Sequence, residues 1–305
     1  MPGTFSRQEV ERLLATVDPR LQMSGFRELR GGVSARVAAI AAKLPSGGEV
    51  TFVARLHGEW NRKEDPKVAE HEFQLLSLLH HNSLPVPEPI VVDHDTCEAP
   101  VLIVSFMSGK ALASPELMPQ DVGGFAEQAG ELLASIHGVD VEVDFVANQS
   151  KVTGELLDGR GEKPNVDFQE DTIRNALARF GPPPAVNGSC LLHGDYWPGN
   201  LLWDREHIVG IIDWEDAMTG EPLADLAVAR LEIAWMCGFE SVARFTERYR
   251  ALVAFDLSSL PVWDLVAALR MARGIPWWGF SDAHYRRART FHSQFMADAI
   301  RILSR

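Results

Sequence analysis

Residues 191–217 read LLHGDYWPGNLLWDREHIVGIIDWEDA, and within them His193, Asp195, Asn200 and Asp213 follow the spacing H-x-D-x4-N-x12-D. Carboxylates and a carboxamide are hard oxygen donors of the kind that hold Mg²⁺. Phosphoryl transfer asks a protein for positioning and charge neutralisation more than for covalent help. Hard oxygen ligands gathered beside one carboxylate aimed at an acceptor satisfy that demand. His193, ahead of a predicted strand, reads as a structural histidine that fixes the loop, and Asp204 and Glu206 read as solvated turn residues.

Rigid elements must carry these groups. Leu201–Trp203 and Ile208–Ile212 predict two short strands joined by a turn over Asp204–His207, a hairpin that would hold Asn200 at one end and Asp213 at the other. Upstream, Val10, Leu13, Leu14 and Val17 fall at helical spacing over residues 7–17. Three strands follow between Gly25 and Leu56, broken by Gly31-Gly32 and by Pro45-Ser46-Gly47-Gly48, as an antiparallel meander. A helix is expected over 66–81, stopped by Pro85 and Pro87, and two more strands near Ile90–Asp93 and Val101–Phe106. Beyond Gly109 the pattern is helical, over 118–137, 168–180, 222–236, 240–255, 261–273 and 285–304. The polar, Gly-rich stretch 149–167 reads as a mobile insertion or a long surface loop. This pattern predicts an α+β chain of two lobes, 1–107 and 108–305, joined near 105–109, and ligands favour such junctions.

Protein kinases use the same spacing in their catalytic loop. His193-Gly194-Asp195, Trp197-Pro198-Gly199-Asn200, Ile212–Ala217 and Pro222–Ala227 together resemble the motif series of the aminoglycoside phosphotransferases and their choline-kinase-like and fructosamine-kinase-like relatives, which share the protein-kinase-like two-lobe fold. The resemblance runs from about Phe26 to about Gly238. It implies Asp195 as catalytic base, Asn200 and Asp213 as metal ligands, His193 as a structural support and Asp225 as an acid bracing the catalytic loop from the next helix. It also implies that 1–107 is a nucleotide-binding lobe, 108–305 a catalytic and substrate-binding lobe, and that backbone groups of Ser105 and Met107 hold an adenine edge.

In the first lobe, Gly31-Gly32-Val33-Ser34 sits between two strands, where Gly32 and Ser34 offer small residues and free N–H groups to phosphates. Val53-Ala54-Arg55 stands where protein kinases carry V-A-I-K, and Arg keeps the charge while adding a fork for phosphate oxygens. Glu72, on the following helix, is the natural partner for Arg55, with Glu70 on another face as the fallback. Gly194 replaces the Arg of H-R-D, and few residues separate Asp213 from the Glu221-Pro222 helix start. Control by loop phosphorylation and a peptide substrate are both disfavoured, and a small acceptor is favoured. Trp197 stands where many aminoglycoside kinases carry His, as in fructosamine-type kinases. The region from Asp195 to Glu232 is strongly acidic, and Glu215, Asp216 and Glu232 would form a negative wall for a cationic acceptor: an aminoglycoside-like compound, an amino alcohol or a glycated amine.

Composition narrows the class. The 305 residues are 46% apolar and 23% charged, ordinary for a folded globular chain. With 42 acidic residues against 29 Lys and Arg the net charge is −13, which argues against nucleic acid as partner. Val101–Met107, the longest apolar run near the middle, is too short for a membrane span, no signal peptide is recognisable, and three separated cysteines suggest neither disulfides nor zinc. A cytoplasmic setting with no membrane or obligate protein partner is expected. The reading is an ATP- and Mg²⁺-dependent phosphotransferase acting on a hydroxyl of a small molecule, with GTP as an alternative donor. A nucleotide-binding pseudokinase and a two-metal phosphoesterase are the alternatives. His57, His80, His81 and His94 lack the spacing the second would need.

Overall fold

The computed structural model describes residues 4–29, 35–140, 143–159, 161 and 163–305. Two compact units emerge: one runs to Ser108 and takes in Gly210–Glu215, and the other comprises Gly109–Val209 and Asp216–Arg305.

The first unit opens with α1 (Arg7–Val17), started by a capping box in which Ser6 Oγ accepts from the Glu9 amide and Glu9 accepts from the Ser6 amide. Strands β1 (Gln22–Glu28), β2 (Arg36–Lys43), β3 (Glu49–Leu56), β4 (Pro89–Asp93) and β5 (Val101–Ser105) form an antiparallel sheet in the order β1-β2-β3-β5-β4. Two helices, α2 (Glu59–Glu64) and α3 (Val68–His81), lie between β3 and β4. Strand alternation decides which side chain meets which helix. Ala54 and Leu56 of β3 pack with Val101, Ile103 and the buried Val10, Leu13 and Leu14 of α1. Arg55, one residue out of phase, points to the opposite face and meets Glu72 of α3. Residues 210–215 are tied to this unit by the Ile211 amide donating to the Pro85 carbonyl (2.7 Å) and by Arg55, which pairs with Asp213 and Glu215.

In the second unit the helices are α4 (Val122–His137), α5 (Gln149–Asp158), α6 (Glu170–Phe180), α7 (Pro222–Cys237), α8 (Phe239–Leu252), α9 (Leu260–Gly274) and α10 (Asp282–Leu303). Helix α7 is buried nearly all round, through Leu223, Leu226, Leu231, Ile233 and Trp235, and it packs against α8, α9 and α10. Short strands stitch loops onto this bundle. β6 (Lys110–Ala111) pairs with β9 (Leu201–Asp204), and β11 (Met218–Gly220) lies between β7 (Ala147–Asn148) and β8 (Cys190–Leu192). Strand β10 (His207–Ile211) follows β9 after a two-residue turn in which Arg205 and Glu206 both have positive φ, the backbone of a tight hairpin.

Helix α5 corrects the expectation of a loop over 149–167. Asn148 caps its first turn by accepting from the Ser150 amide, and Val152 and Leu156, four apart, face a cavity beside α9. Three apolar side chains, Val152, Leu156 and Leu157, in a polar stretch give too weak a period to be read from sequence. No helix among the described residues is long and apolar enough to cross a membrane.

Candidate active site

In the second unit, β8 delivers the loop His193-Gly194-Asp195, and the first turn of α7 supplies Asp225 beneath it. Asp225 is 3% exposed and accepts the backbone amides of His193 (2.6 Å) and Gly194 (2.9 Å), with His137 Nε2 3.5 Å away. Burial alone would raise its carboxyl, but hydrogen bonding and charge from His137, charge from His193 and the His193 amide outweigh burial and hold it below the usual range. Gly194 has φ +81°, and a Cβ built there would overlap the Asp216 carbonyl oxygen, so the position accepts glycine alone without rearrangement. Trp197 lies so close over Gly199 that a Cβ there would enter its ring.

Asp195 is held at both oxygens. Asn200 Nδ2 donates to Asp195 Oδ2 (3.1 Å) and to its carbonyl oxygen (2.9 Å), while Arg270 Nη2 of α9 donates to Asp195 Oδ1 (2.9 Å). His193, fully buried, accepts the Asp195 amide at Nδ1. Arg270 is the residue that the sequence reading missed; it lies far along the chain in a helix whose pattern speaks only of burial. Its guanidinium is pushed above the usual arginine value: burial opposes this, and the charges of Asp195, Asp216 and Glu232 override it.

Glu232 is buried within α7 and accepts from Trp235 Nε1 at 2.7 Å. Burial, aided by the charge of Asp195 and opposed by Trp235 and Arg270, pushes its carboxyl up to about 7. It is therefore no part of an open acidic wall.

In the first unit, Arg55 gathers three acids. Its Nη2 donates to Asp213 Oδ1 (2.6 Å) and Glu215 Oε2 (2.5 Å), and Nη1 lies 3.6 Å from Glu72 Oε1. Burial works against this charge, and Glu72, Asp213 and Glu215 raise the guanidinium above its ordinary value all the same. Glu72 is also bonded to His57 Nε2 (2.5 Å); burial would raise its carboxyl, yet the Arg55 charge and the His57 contact bring it down to about 2. Glu70 turns instead to His94 at 3.8 Å. Asp213 has φ 68°, a left-handed conformation uncommon outside glycine. Glu215, expected beside a substrate, is committed to Arg55 here.

Of the remaining sequence-derived residues, Gly32 and Ser34 lie outside the described residues. The Ser105 amide donates to the Glu88 carbonyl and its hydroxyl accepts from the Glu88 amide, so the Ser105 N–H serves the loop before β4; Met107 follows β5, half-buried. Among the described residues, the one group of His, Cys, Asp and Glu close enough to share an ion is Glu9, Cys97 and Glu98, and Arg36 already pairs with both acids. The chemistry of the donors is compatible with Mg²⁺ elsewhere: Asn200 spends its Nδ2 on Asp195, which leaves the amide oxygen as a donor, and Asp213 gives Arg55 only one carboxylate oxygen.

The sequence profile of the phosphotransferase enzyme family matches residues 25–269. The chain belongs to that family. It is 28% identical over 223 residues to a homoserine kinase of Rhodospirillum rubrum, covering 64% of this chain and 65% of that protein. It is 25% identical over 182 residues to a probable acyl-CoA dehydrogenase, IBR3, of Arabidopsis thaliana, covering 52% of this chain and 22% of that one. The chain thus spans from about a fifth to under two thirds of the length of these relatives. Among solved structures, an aminoglycoside phosphotransferase APH(4)-Ia in ternary complex with AMP-PNP and hygromycin B aligns with TM-score 0.64 at 17% identity, covering 96% of this chain and 98% of that one. The GDP complex of aminoglycoside 2'-phosphotransferase-IIIa gives 0.65 at 14%, covering 96% and 99%. A choline/ethanolamine kinase family protein from Mesorhizobium loti gives 0.61 at 19%, covering 97% and 94%. At such identities the likeness is one of fold, the kinase-like α+β fold of this family. The family is one of small-molecule phosphotransferases.

Proposed function

We propose that this phosphotransferase moves the γ-phosphoryl group of ATP, as its Mg²⁺ complex, to a hydroxyl of a small molecule. The observation that carries the reading is Asp195: a carboxylate fixed at both oxygens, by Asn200 and Arg270, on a loop whose amides Asp225 holds. Such a group is preorganised to orient an acceptor hydroxyl and take its proton as the new O–P bond forms and the bridging oxygen departs with ADP. Asp213 and Asn200 offer oxygen donors to Mg²⁺, which would neutralise charge on the phosphates. Arg55, anchored by Glu72, would meet phosphate oxygens by exchanging its bonds to Asp213 and Glu215 for them. His193 and Asp225 are positioning residues in this reading.

For the acceptor, the support for a cation is reduced. Glu215 is spent on Arg55, Glu232 is buried on Trp235, and the field of Asp216 falls on Arg270. The reading adopted is therefore a small alcohol with no required positive charge. The test is ADP release from Mg-ATP by the purified chain with a panel spanning an aminoglycoside, choline, homoserine and neutral alcohols. Acceptor-dependent ADP release with a KM insensitive to salt supports the reading. Binding of ATP or GTP without release across the panel would favour the pseudokinase, and binding of neither nucleotide would remove the phosphotransfer reading.

A further inference from the structure

The second unit contains a cavity of about 70 Å³ walled by α5, β8, β11, α7 and α9. Val152, Leu156, Val228 and Trp263 make its lining largely apolar. Its polar members are already engaged. Gln149 donates to Thr153 Oγ1 and accepts from the Glu221 amide, and Asp225 accepts the two loop amides. Arg270 donates to Asp195. A guest there would be held by shape and by removal of hydrocarbon from water rather than by hydrogen bonds.

Two lining residues connect the cavity to the reacting group. Gly194 precedes Asp195 in the chain, and Arg270 donates to Asp195 Oδ1. We propose that the cavity receives an aliphatic arm of the acceptor, so that the substrate class is a small alcohol bearing a short hydrocarbon chain rather than a polyamine. The proposal rests on the phosphotransfer reading for the role of Asp195. A water's share of liquid volume is about 30 Å³ and a cavity of about 150 Å³ holds benzene, so this cavity takes about two waters, or a chain on the order of three heavy atoms.

The experiment uses the whole chain and the straight-chain alcohols from ethanol to 1-octanol, with two readouts: binding by saturation-transfer NMR and ADP release from Mg-ATP. Affinity is expected to rise roughly fourfold per methylene up to about four carbons and then to level off. Ala267→Leu, which fills the cavity, is expected to flatten that rise. Val152→Glu, at an exposed rim position, is expected to do the same without burdening the core, and so keeps the test intact should the first variant fail to fold. Affinity independent of chain length, or a dependence unchanged in the folded variants, overturns the proposal. Graded, variant-sensitive binding with no ADP release from any alcohol or any member of the panel above would instead overturn the phosphotransfer reading and the acceptor role with it.

Discussion

Replacing Glu232 by Gln should stabilise the protein, and only on the alkaline side. In the fold the Glu232 carboxyl is 8% exposed and sits at about 7, against an ordinary value of 4.5. The folded state therefore holds this proton more tightly than the unfolded chain does. Stability from this residue is full below about 4.5, declines as pH rises through the window from 4.5 to 7, and is lost above it. At about 1.4 kcal/mol per unit, a gap of about 2.5 units corresponds to a cost on the order of 3 kcal/mol at pH 8, an upper bound because side chains relax around a buried charge. Glutamine retains an oxygen to accept from Trp235 Nε1 and has no charge to desolvate. Urea unfolding of both proteins at pH 4.5 and pH 8, followed through the transition of the second unit, measures the difference of differences. Glu232→Gln should be near neutral at pH 4.5 and stabilising by about 2–3 kcal/mol at pH 8. Equal effects at the two pH values, or destabilisation at pH 8, would mean that the fold does not hold the Glu232 carboxyl in its protonated form.

Arg55→Ala leaves a buried Glu72 without its cation, together with Asp213 and Glu215, and should cost about 3–5 kcal/mol in the first unit. Adding Glu72→Ala should return part of that loss, and simple additivity of the two changes in urea unfolding would separate the residues energetically. Gly194→Ala forces a positive φ and an overlap with the Asp216 carbonyl, so a loss of about 2 kcal/mol or more in thermal stability is expected; an unchanged melting temperature would contradict the described loop. Asp225→Asn places an NH₂ or a neutral oxygen against two backbone donors and should cost about 2 kcal/mol, and a wild-type unfolding midpoint would show that those amides do not need the charge.

What could be read in advance follows the range of the interactions. The H-x-D-x4-N segment and the strands around it are short-range, and helices such as α7 and α9 are long enough for their apolar residues to declare themselves. The three-strand meander was legible because glycine and proline punctuate it. Arg270 was not, because its meeting with Asp195 depends on how α9 packs, which no local pattern encodes. The same holds for Glu215: its acidity suggested a substrate wall, while the turn after β10 brings it to Arg55. The Arg205-Glu206 turn adopts two positive φ angles without glycine or asparagine, so its tightness carried no signal in residue type. The grouping of residues 210–215 with the first unit likewise depends on long-range bonds, such as that from the Ile211 amide to Pro85.

If Asp195 orients and deprotonates the acceptor for phosphoryl transfer, as proposed, phosphorus NMR of Mg-ATP incubated with wild type and Asp195→Asn shows it in the product itself. With the best acceptor of the panel, wild type should produce a new phosphomonoester resonance together with ADP. Asp195→Asn should bind ATP as tightly but form the ester on the order of 10² to 10⁴ times more slowly. Ester formation by the variant within threefold of the wild-type rate would contradict the account.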